Sequence, residues 1–436
     1  MAFSSVQFLF IFLPLSLAVY WLLPKALRNG ALGAFSLLFF AWAGLKGAAI
    51  LLALAAITWL GGLLLEKLPR KKPLLILLIA AHLAVLAAFK YAGFAARSIN
   101  ALVPDLLPVF APALPLGISF YVFTAIGYLA DVSCGKVAAA RSPFRFFVFL
   151  AFFGHGPSGP IVRYDQQLPC LDAKAAERQV SLDRFCYGIK RFVLGLAKKA
   201  IIADQLALIY SRVTSVPAAT VPAPALVLGY LAYMMQLYFD FSGYSDMAIG
   251  IGSFFGLELP ENFNYPYLSC SVGEYWRRWH MSLSGWFRDY VYIPLGGNRC
   301  GKIRQCVNIL VVWALTGFWH GAGWNFLFWG FYYGILLLIE KLVLGKYIRR
   351  LPAPVQHLYT MVIVVIGWVF FASPDLSTAL DYLQVMFSFT PGTVGTASLV
   401  MPWLGMGILG VLASTPLAKT LWEKVQDKKW MPLAEG

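Results

Sequence analysis

Two histidines forty residues apart (320 − 280) lie between Asn262 and Gly330, where Arg, Trp, Tyr and Gly are most densely mixed in this 436-residue chain. His320 falls in VNILVVWALTGFWHGAGWNFLFWG, about thirteen residues into an apolar run, which at ~1.5 Å per helical residue puts it some 20 Å into a ~30 Å hydrocarbon core. An imidazole at that depth is costly unless it is paired or used. Gly317, Gly321 and Gly323 let backbone or ligand approach closely, and Trp319 and Trp324 offer flat apolar walls beside Asn325. A lone base in a narrow passage suits deprotonation of a hydroxyl or thiol, because imidazole titrates near neutral pH. His280 follows Trp276, Arg277, Arg278 and Trp279, and the next loop adds Arg288, Arg299, Lys302 and Arg304. Such a basic, aromatic segment can hold a phosphorylated or nucleotide-bearing donor. It can equally be a cytoplasmic loop that sets topology. Pattern alone also leaves His320 open between a reaction centre and a packed helix–helix hydrogen bonder. His82 and His357, in ordinary surroundings, read as structural. The six cysteines form no CxxC pair and have no metal-ligand spacing with His, and neither GxSxG nor a Walker sequence occurs. No metal site, covalent Ser or Cys catalysis or nucleotide hydrolysis is indicated.

The elements that must position these residues are transmembrane. The chain is 60% hydrophobic and 13% charged along its whole length, more apolar surface than a soluble core could use. Its net charge of +15 sits in short clusters between apolar runs, which reads as topology signal and not as a nucleic-acid surface. Early spans are expected at Phe3–Leu23, 31–44, Ala48–Leu65 and 73–89. Basic residues after the first span (Lys25, Arg28) and the third (Lys67, Arg70, Lys71, Lys72) put the N-terminus outside the cytoplasm. The N-terminal segment reads as a retained span, having no basic n-region and no cleavage site. Prolines 104, 108, 112 and 115, and the Gly/Pro cluster of FFGHGPSGPIVRY, predict two broken or re-entrant elements buried in protein. Arg184–Ile202 reads as an interfacial helix on the cytoplasmic leaflet. Spans follow near Ala225–Phe239, Trp324–Leu344, Leu358–Phe371 and, more weakly, Ser398–Ala413, for about nine to eleven crossings in all, with a solvent-facing tail from Lys419. Asp131, Asp240, Asp246 and Glu340 fit proton-relay or structural carboxylates alike. The chain is read as one integral membrane unit of N-terminal spans (1–100), a motif-bearing core (101–345) and C-terminal spans with a tail (346–436).

The segments QLYFDFSGYSDMAIGIGSFFGLELPENFNYPY, EYWRRWHMSLSGWFRDYVYIPLGGNR and TGFWHGAGWNFLFWG, with GPIVRY and GLAKKAIIADQLA, resemble the membrane-bound O-acyltransferase family. The likeness runs through most of Leu114–Gly334. It is nearest to the bacterial branch of alginate O-acetylation and teichoic acid D-alanyl transfer proteins. The resemblance implies a ring of tilted helices around a thinned centre, with a tunnel joining a cytoplasmic donor to an extracytoplasmic acceptor. It maps the family's near-invariant histidine onto His320 and its second polar position onto His280. Trp276, Arg277, Arg278, Trp279, Trp319, Trp324 and Asn325 then become candidates for donor or substrate binding. The implied function is transfer of acetyl from cytoplasmic acetyl-CoA across a bacterial inner membrane for O-acetylation of a polysaccharide. Transfer would be direct or through a periplasmic SGNH-type acetyltransferase partner, with no bound cofactor and no nucleic acid. D-alanyl transfer from a carrier protein, and a non-enzymatic transporter or export channel, are the alternatives. The lack of a visible internal repeat speaks against the transporter. Two departures, a shorter C-terminal end and His155 in place of the usual FPQ-type wording, bear on the acceptor or partner and not on the acyl-transfer class.

Overall fold

The structure is a computed structural model and describes residues 1–110, 112–171, 180–388 and 404–425, with Gly392, Gly395, Thr396, Ser398 and Met401. Every regular element among them is helical. In chain order the helices are α1 (Leu13–Leu22, preceded by a π-turn at Phe8–Phe12), α2 (Arg28–Ala43), α3 (Leu45–Lys67), α4 (Lys71–Lys90), α5 (Ala92–Asn100), α6 (Ile118–Ser133), α7 (Pro143–Ala151) and α8 (Tyr164–Leu171). Then come α9 (Leu182–Ala197), α10 (Asp204–Thr214), α11 (Ala223–Phe254), α12 (Val272–Arg278), α13 (Met281–Phe287), α14 (Lys302–His320) and α15 (Trp324–Ile339). The chain continues through α16 (Gly345–Ile348), α17 (Ala353–Ala372), α18 (Leu376–Ser388), α19 (Leu404–Ala413) and α20 (Leu417–Val425).

Local sequence explains several boundaries. Ser142, Ser181 and Ser271 accept hydrogen bonds from the backbone N–H groups of Arg145, Arg184 and Glu274, capping α7, α9 and α12. Among the described residues, five helical stretches are long and apolar enough to cross a membrane: Lys25–Ala43, Leu45–Lys67, Lys71–Lys90, Trp324–Ile348 and Ala353–Ala372. Phe8–Leu22, Ile118–Ser133 and Leu404–Ala413 are shorter apolar helices. α11 and α14 are long, but Gln236, Asp240 and Asp246 interrupt the first and Lys302, Arg304 and Asn308 the second.

The buried apolar side chains form two clusters. One gathers α1–α4, α6, α7 and the far end of α11, and includes Trp319. The other gathers α10, the first half of α11, α12, α15, α17 and α18, and includes Trp279, Trp329 and Trp368. Glycines allow the tightest helix contacts. A Cβ on Gly188 of α9 would lie 2.9 Å from the Phe254 ring, and one on Gly250 of α11 would lie 2.8 Å from the Phe192 nitrogen. α14 and α15 form a hairpin in which a Cβ on Gly317 would lie 3.1 Å from the Gly330 nitrogen.

One expectation needs restating. The proline-rich stretch is no buried re-entrant element: residues 101–110 are all exposed, Leu102 by 84% and Phe110 by 67%. Four prolines so close together withhold the backbone donors a buried segment would have to pair. The FFGHGPSGPIV stretch does run irregularly through the interior, buried everywhere except at Ser158. Arg184–Ile202 is helical, and its basic residues are paired within the protein. α9 and the π-turn Lys198–Ala203 lie along α11, where Arg191 and Lys198 pair with Asp246 and Lys199 pairs with Asp240 at 2.8 Å. Within the weak span at Ser398–Ala413, Ser398 and Leu404–Ala413 are helical and residues 399–400 and 402–403 lie outside the described residues, as does most of the charged tail.

Candidate active site

His320 is the last residue of α14, and the chain leaves the helix through Gly321 and Gly323 before α15 begins. The Gly317–Gly330 contact fixes that hairpin, so the imidazole is presented at a helix end among aromatic rings. The rings of Trp319, Trp329 and Phe371 lie 4.8, 5.2 and 5.3 Å from its own. Trp319 belongs to one hydrophobic cluster, Trp329 and Trp368 to the other, which puts His320 on the seam between them.

His280 joins α12 to α13 with left-handed backbone angles, φ 43° and ψ 55°, a conformation that costs free energy in a non-glycine residue and persists only when its surroundings hold it. What holds it is Asn262, fully buried at the start of the Asn262–Gly330 stretch. The Asn262 backbone carbonyl accepts from Met281 N–H at 3.0 Å, and its side-chain Oδ1 accepts from Ser282 N–H at 3.2 Å and Ser282 Oγ at 2.9 Å. Its Nδ2 donates to Ser245 Oγ on α11 at 3.3 Å. Because a backbone N–H can only donate, Oδ1 must be the acceptor, and His280 Nδ1, 3.0 Å away, donates to it. In the neutral ring the lone pair therefore resides on Nε2. That atom is buried and makes no hydrogen bond among the described residues.

Two cavities meet at these rings. One of 440 Å³ is lined by His280, His320, Trp279, Trp319, Trp368, Lys199 and Asp240, with the N-terminal residues Ala2–Ser4. The other, of 330 Å³, is lined by the same two histidines, Trp276, Arg277, Trp279, Arg288, Trp313 and Thr316. Its lining residues Gly273, Arg277, Tyr292 and Trp313 also line a polar hollow of 590 Å³ that adds Glu274, Glu340, Lys341 and Arg349. Both histidines thus line both cavities, one walled by aromatic rings with the Lys199–Asp240 pair among them, the other by aromatic rings with Arg277 and Arg288. The indole N–H groups of Trp276, Trp319, Trp329 and Trp368 are likewise buried without a partner among the described residues.

The other candidate residues divide. Trp276, Arg277, Trp279 and Trp319 line the cavities. Arg278 turns away to Glu274 at 2.8 Å and the Asn264 carbonyl at 3.3 Å. Trp324 is 60% exposed and rests on Phe94. Asn325 is buried and donates to the Ser373 carbonyl at 2.9 Å, tying the start of α15 to the end of α17. These three line neither histidine cavity. Glu340 accepts from the N–H groups of Val272 and Gly273 at 2.8 and 3.0 Å, capping α12, while His82 bonds Thr58 at 2.8 Å within the α3–α4 pair. Arg163 of GPIVRY reaches Asp289 at 2.7 Å, and Arg288 meets the same carboxylate at 2.6 Å. Burial alone would raise the Asp289 carboxyl, but the Arg288 hydrogen bond and the Arg163 charge hold it below its ordinary value.

The sequence profile of the MBOAT, membrane-bound O-acyltransferase family matches residues 138–373, a span that contains both histidines and the cationic residues Lys199, Arg277, Arg288, Lys341 and Arg349 that line the three cavities. The chain belongs to the membrane-bound O-acyltransferase family. It is a multi-pass membrane acyltransferase. It is 40% identical over 402 residues to the "Probable alginate O-acetylase AlgI" of Azotobacter vinelandii, covering 90% of this chain and 79% of that one. It is 32% identical over 419 residues to the "Peptidoglycan O-acetyltransferase" of Helicobacter pylori, covering 88% and 79% of the two. Similarity to the "Teichoic acid D-alanyltransferase" of Bacillus subtilis is 32% over 233 residues, 51% of this chain and 58% of that one. In a membrane-bound O-acyltransferase the acceptor oxygen must lose a proton as it attacks, and the carbonyl oxygen must be stabilised as it gains charge. Sequence reading missed Asn262, Ser245 and Ser282 as supports, because their meeting with His280 depends on how α11 and α13 pack and leaves no local pattern.

Proposed function

We propose that this enzyme moves an acetyl group from acetyl-CoA on the cytoplasmic side to a polysaccharide hydroxyl outside, of the kind its O-acetylase relatives are named for, either directly or through a periplasmic acetyltransferase. The observation that carries the reading is that His280 and His320 line both cavities, so two substrates entering from opposite sides would meet at the same pair of imidazoles. Arg277, Lys341 and Arg349 mark one side as the place for an anionic donor, in keeping with the positive-inside bias of the loops. The N-terminus then faces outward, in the bacterial inner membrane, and the cavities join into a tunnel when the thioester is in place.

In this mechanism a histidine Nε2 takes the proton of the acceptor hydroxyl as its oxygen attacks the thioester carbonyl. The C–O bond forms and the C–S bond breaks. The same imidazole returns the proton to the departing thiolate, so no net charge stays in the membrane. His320 is the reaction centre, and His280, held by Asn262, orients or polarises donor or acceptor. The polysaccharide reading gains on D-alanyl transfer because similarity to the two O-acetyl enzymes extends over nearly nine-tenths of the chain against about half.

Purified protein in sealed vesicles, offered radiolabelled acetyl-CoA on one face and alginate oligosaccharide or a partner acetyltransferase on the other, tests this directly. Label should pass to the acceptor across the bilayer. Transfer only from an aminoacyl carrier protein would establish the D-alanyl alternative, and label that never leaves its donor would contradict acyl transfer through this chain.

A further inference from the structure

We propose that Lys90 and Tyr91, at the end of α4, form a two-residue clamp that positions His320. The last turn of an α-helix leaves its carbonyls without helical partners, and they must be satisfied from elsewhere. In α14 the Gly317 carbonyl takes the Gly321 N–H at 3.4 Å. The next two are taken by side chains from another helix: Tyr91 Oη donates to the Phe318 carbonyl at 2.8 Å, and Lys90 Nζ donates to the Trp319 carbonyl. Consecutive donors thus meet consecutive acceptors immediately before His320.

Two further contacts stiffen the arrangement. The Tyr91 and Phe318 rings stack 4.0 Å apart at 9°, and the Lys90 ammonium lies 5.5 Å over the Trp319 ring. Ser119 Oγ of α6 accepts from Lys90 at 3.4 Å. No described carboxylate lies within ion-pair distance of Lys90. A half-buried ammonium without an anionic partner is expensive near a membrane interior, and the C-terminal pole of a helix is one of the few uncharged environments that favours it. The chain beyond His320 cannot do this work, since Gly321 and Gly323 have extended angles and no side chains to anchor them. Lys90 and Tyr91 also lie outside the matched residues 138–373, so the N-terminal helices contribute to a site that the family profile alone would confine to the core.

This inference rests on His320 being the reaction centre, and its test separates the two. With labelled acetyl-CoA and reconstituted protein, Lys90→Met should lower kcat about tenfold while the KM for acetyl-CoA stays within about twofold, as expected when a reacting group is displaced and not a binding group removed. Lys90→Arg keeps charge and donors and should recover most of the rate. Tyr91→Phe, which keeps the ring stack and loses one hydrogen bond, should cost about threefold and carries the test should Lys90→Met fail to insert. The rate at which diethyl pyrocarbonate modifies His320, followed by peptide mass, reads the clamp without any substrate. It should rise severalfold in Lys90→Met and Tyr91→Phe and stay at the wild-type value in Lys90→Arg. Unchanged kcat and unchanged His320 modification in Lys90→Met, or equal losses in the Met and Arg variants, would overturn the clamp. Should His320→Ala retain transfer, the functional reading fails first, and the modification rates still decide whether the clamp exists.

Discussion

Asn262 holds His280 in one tautomer and in a backbone conformation it would not choose alone. Asn262→Ala would leave the His280 Nδ1–H and the Ser282 donors unpaired in a closed interior, at a cost of about 1–3 kcal/mol in stability. Transfer should fall about tenfold to a hundredfold, because the ring loses both tautomer and aim. Asn262→Asp, which keeps the acceptor, should retain far more activity than the alanine variant. Parallel measurement of transfer rate and thermal unfolding in detergent checks both, and wild-type transfer in Asn262→Ala would show that His280 does not depend on this support. At this scale the histidines were legible, because imidazole in an apolar run is conspicuous. Arg278, Trp324 and Asn325 neighbour cavity residues in sequence only, because a helix turns adjacent side chains to different faces: Arg277 lines the cavity while Arg278 meets Glu274.

The α14–α15 hairpin is the element on which the site depends. A Cβ on Gly317 or Gly330 would meet the facing helix's backbone, which unlike a side chain has no rotamer to move into. Gly330→Ala should therefore spread the hairpin, destabilise the protein by about 1–3 kcal/mol and lower transfer, whereas Gly405→Ala, with open space around it, should change neither. A thermal unfolding curve unchanged by Gly330→Ala would remove the close approach from the account. Helices at this scale were read well where apolar length decides, as in α3 and α4. Proline misled, and charge said little, where tertiary context decides. Pro104 and Pro108 lie in an exposed loop and burial is reached only at Pro115, while the basic residues of α9 and the π-turn after it find carboxylates on α11. A sequence shows a charge but not its partner, which for Arg191 is Asp246, 55 residues on.

For the molecule as a whole, orientation is the claim most open to test. Cys134 follows α6 near the end of α3, where Arg141 and Glu66 pair at 2.8 Å. Cys186 is next to Phe185, which packs against Trp21 at the end of α1. Both exposed thiols therefore lie at helix ends that precede basic loops. In the proposed orientation a membrane-impermeant maleimide should label neither in intact spheroplasts and both after permeabilisation. Labelling from outside would invert the donor and acceptor sides. How the two hydrophobic clusters meet, with Trp319 in one and Trp279 in the other, was not derivable from apolar runs, because it depends on which helices pack together.

The central claim is that acyl transfer occurs at His320. The most direct measurement is polymer O-acetylation in cells whose only copy of the enzyme is His320→Ala, with protein abundance and membrane insertion measured alongside. The account predicts that O-acetylation is abolished at unchanged abundance and insertion, while His280→Ala loses less. Retained O-acetylation in His320→Ala would contradict it.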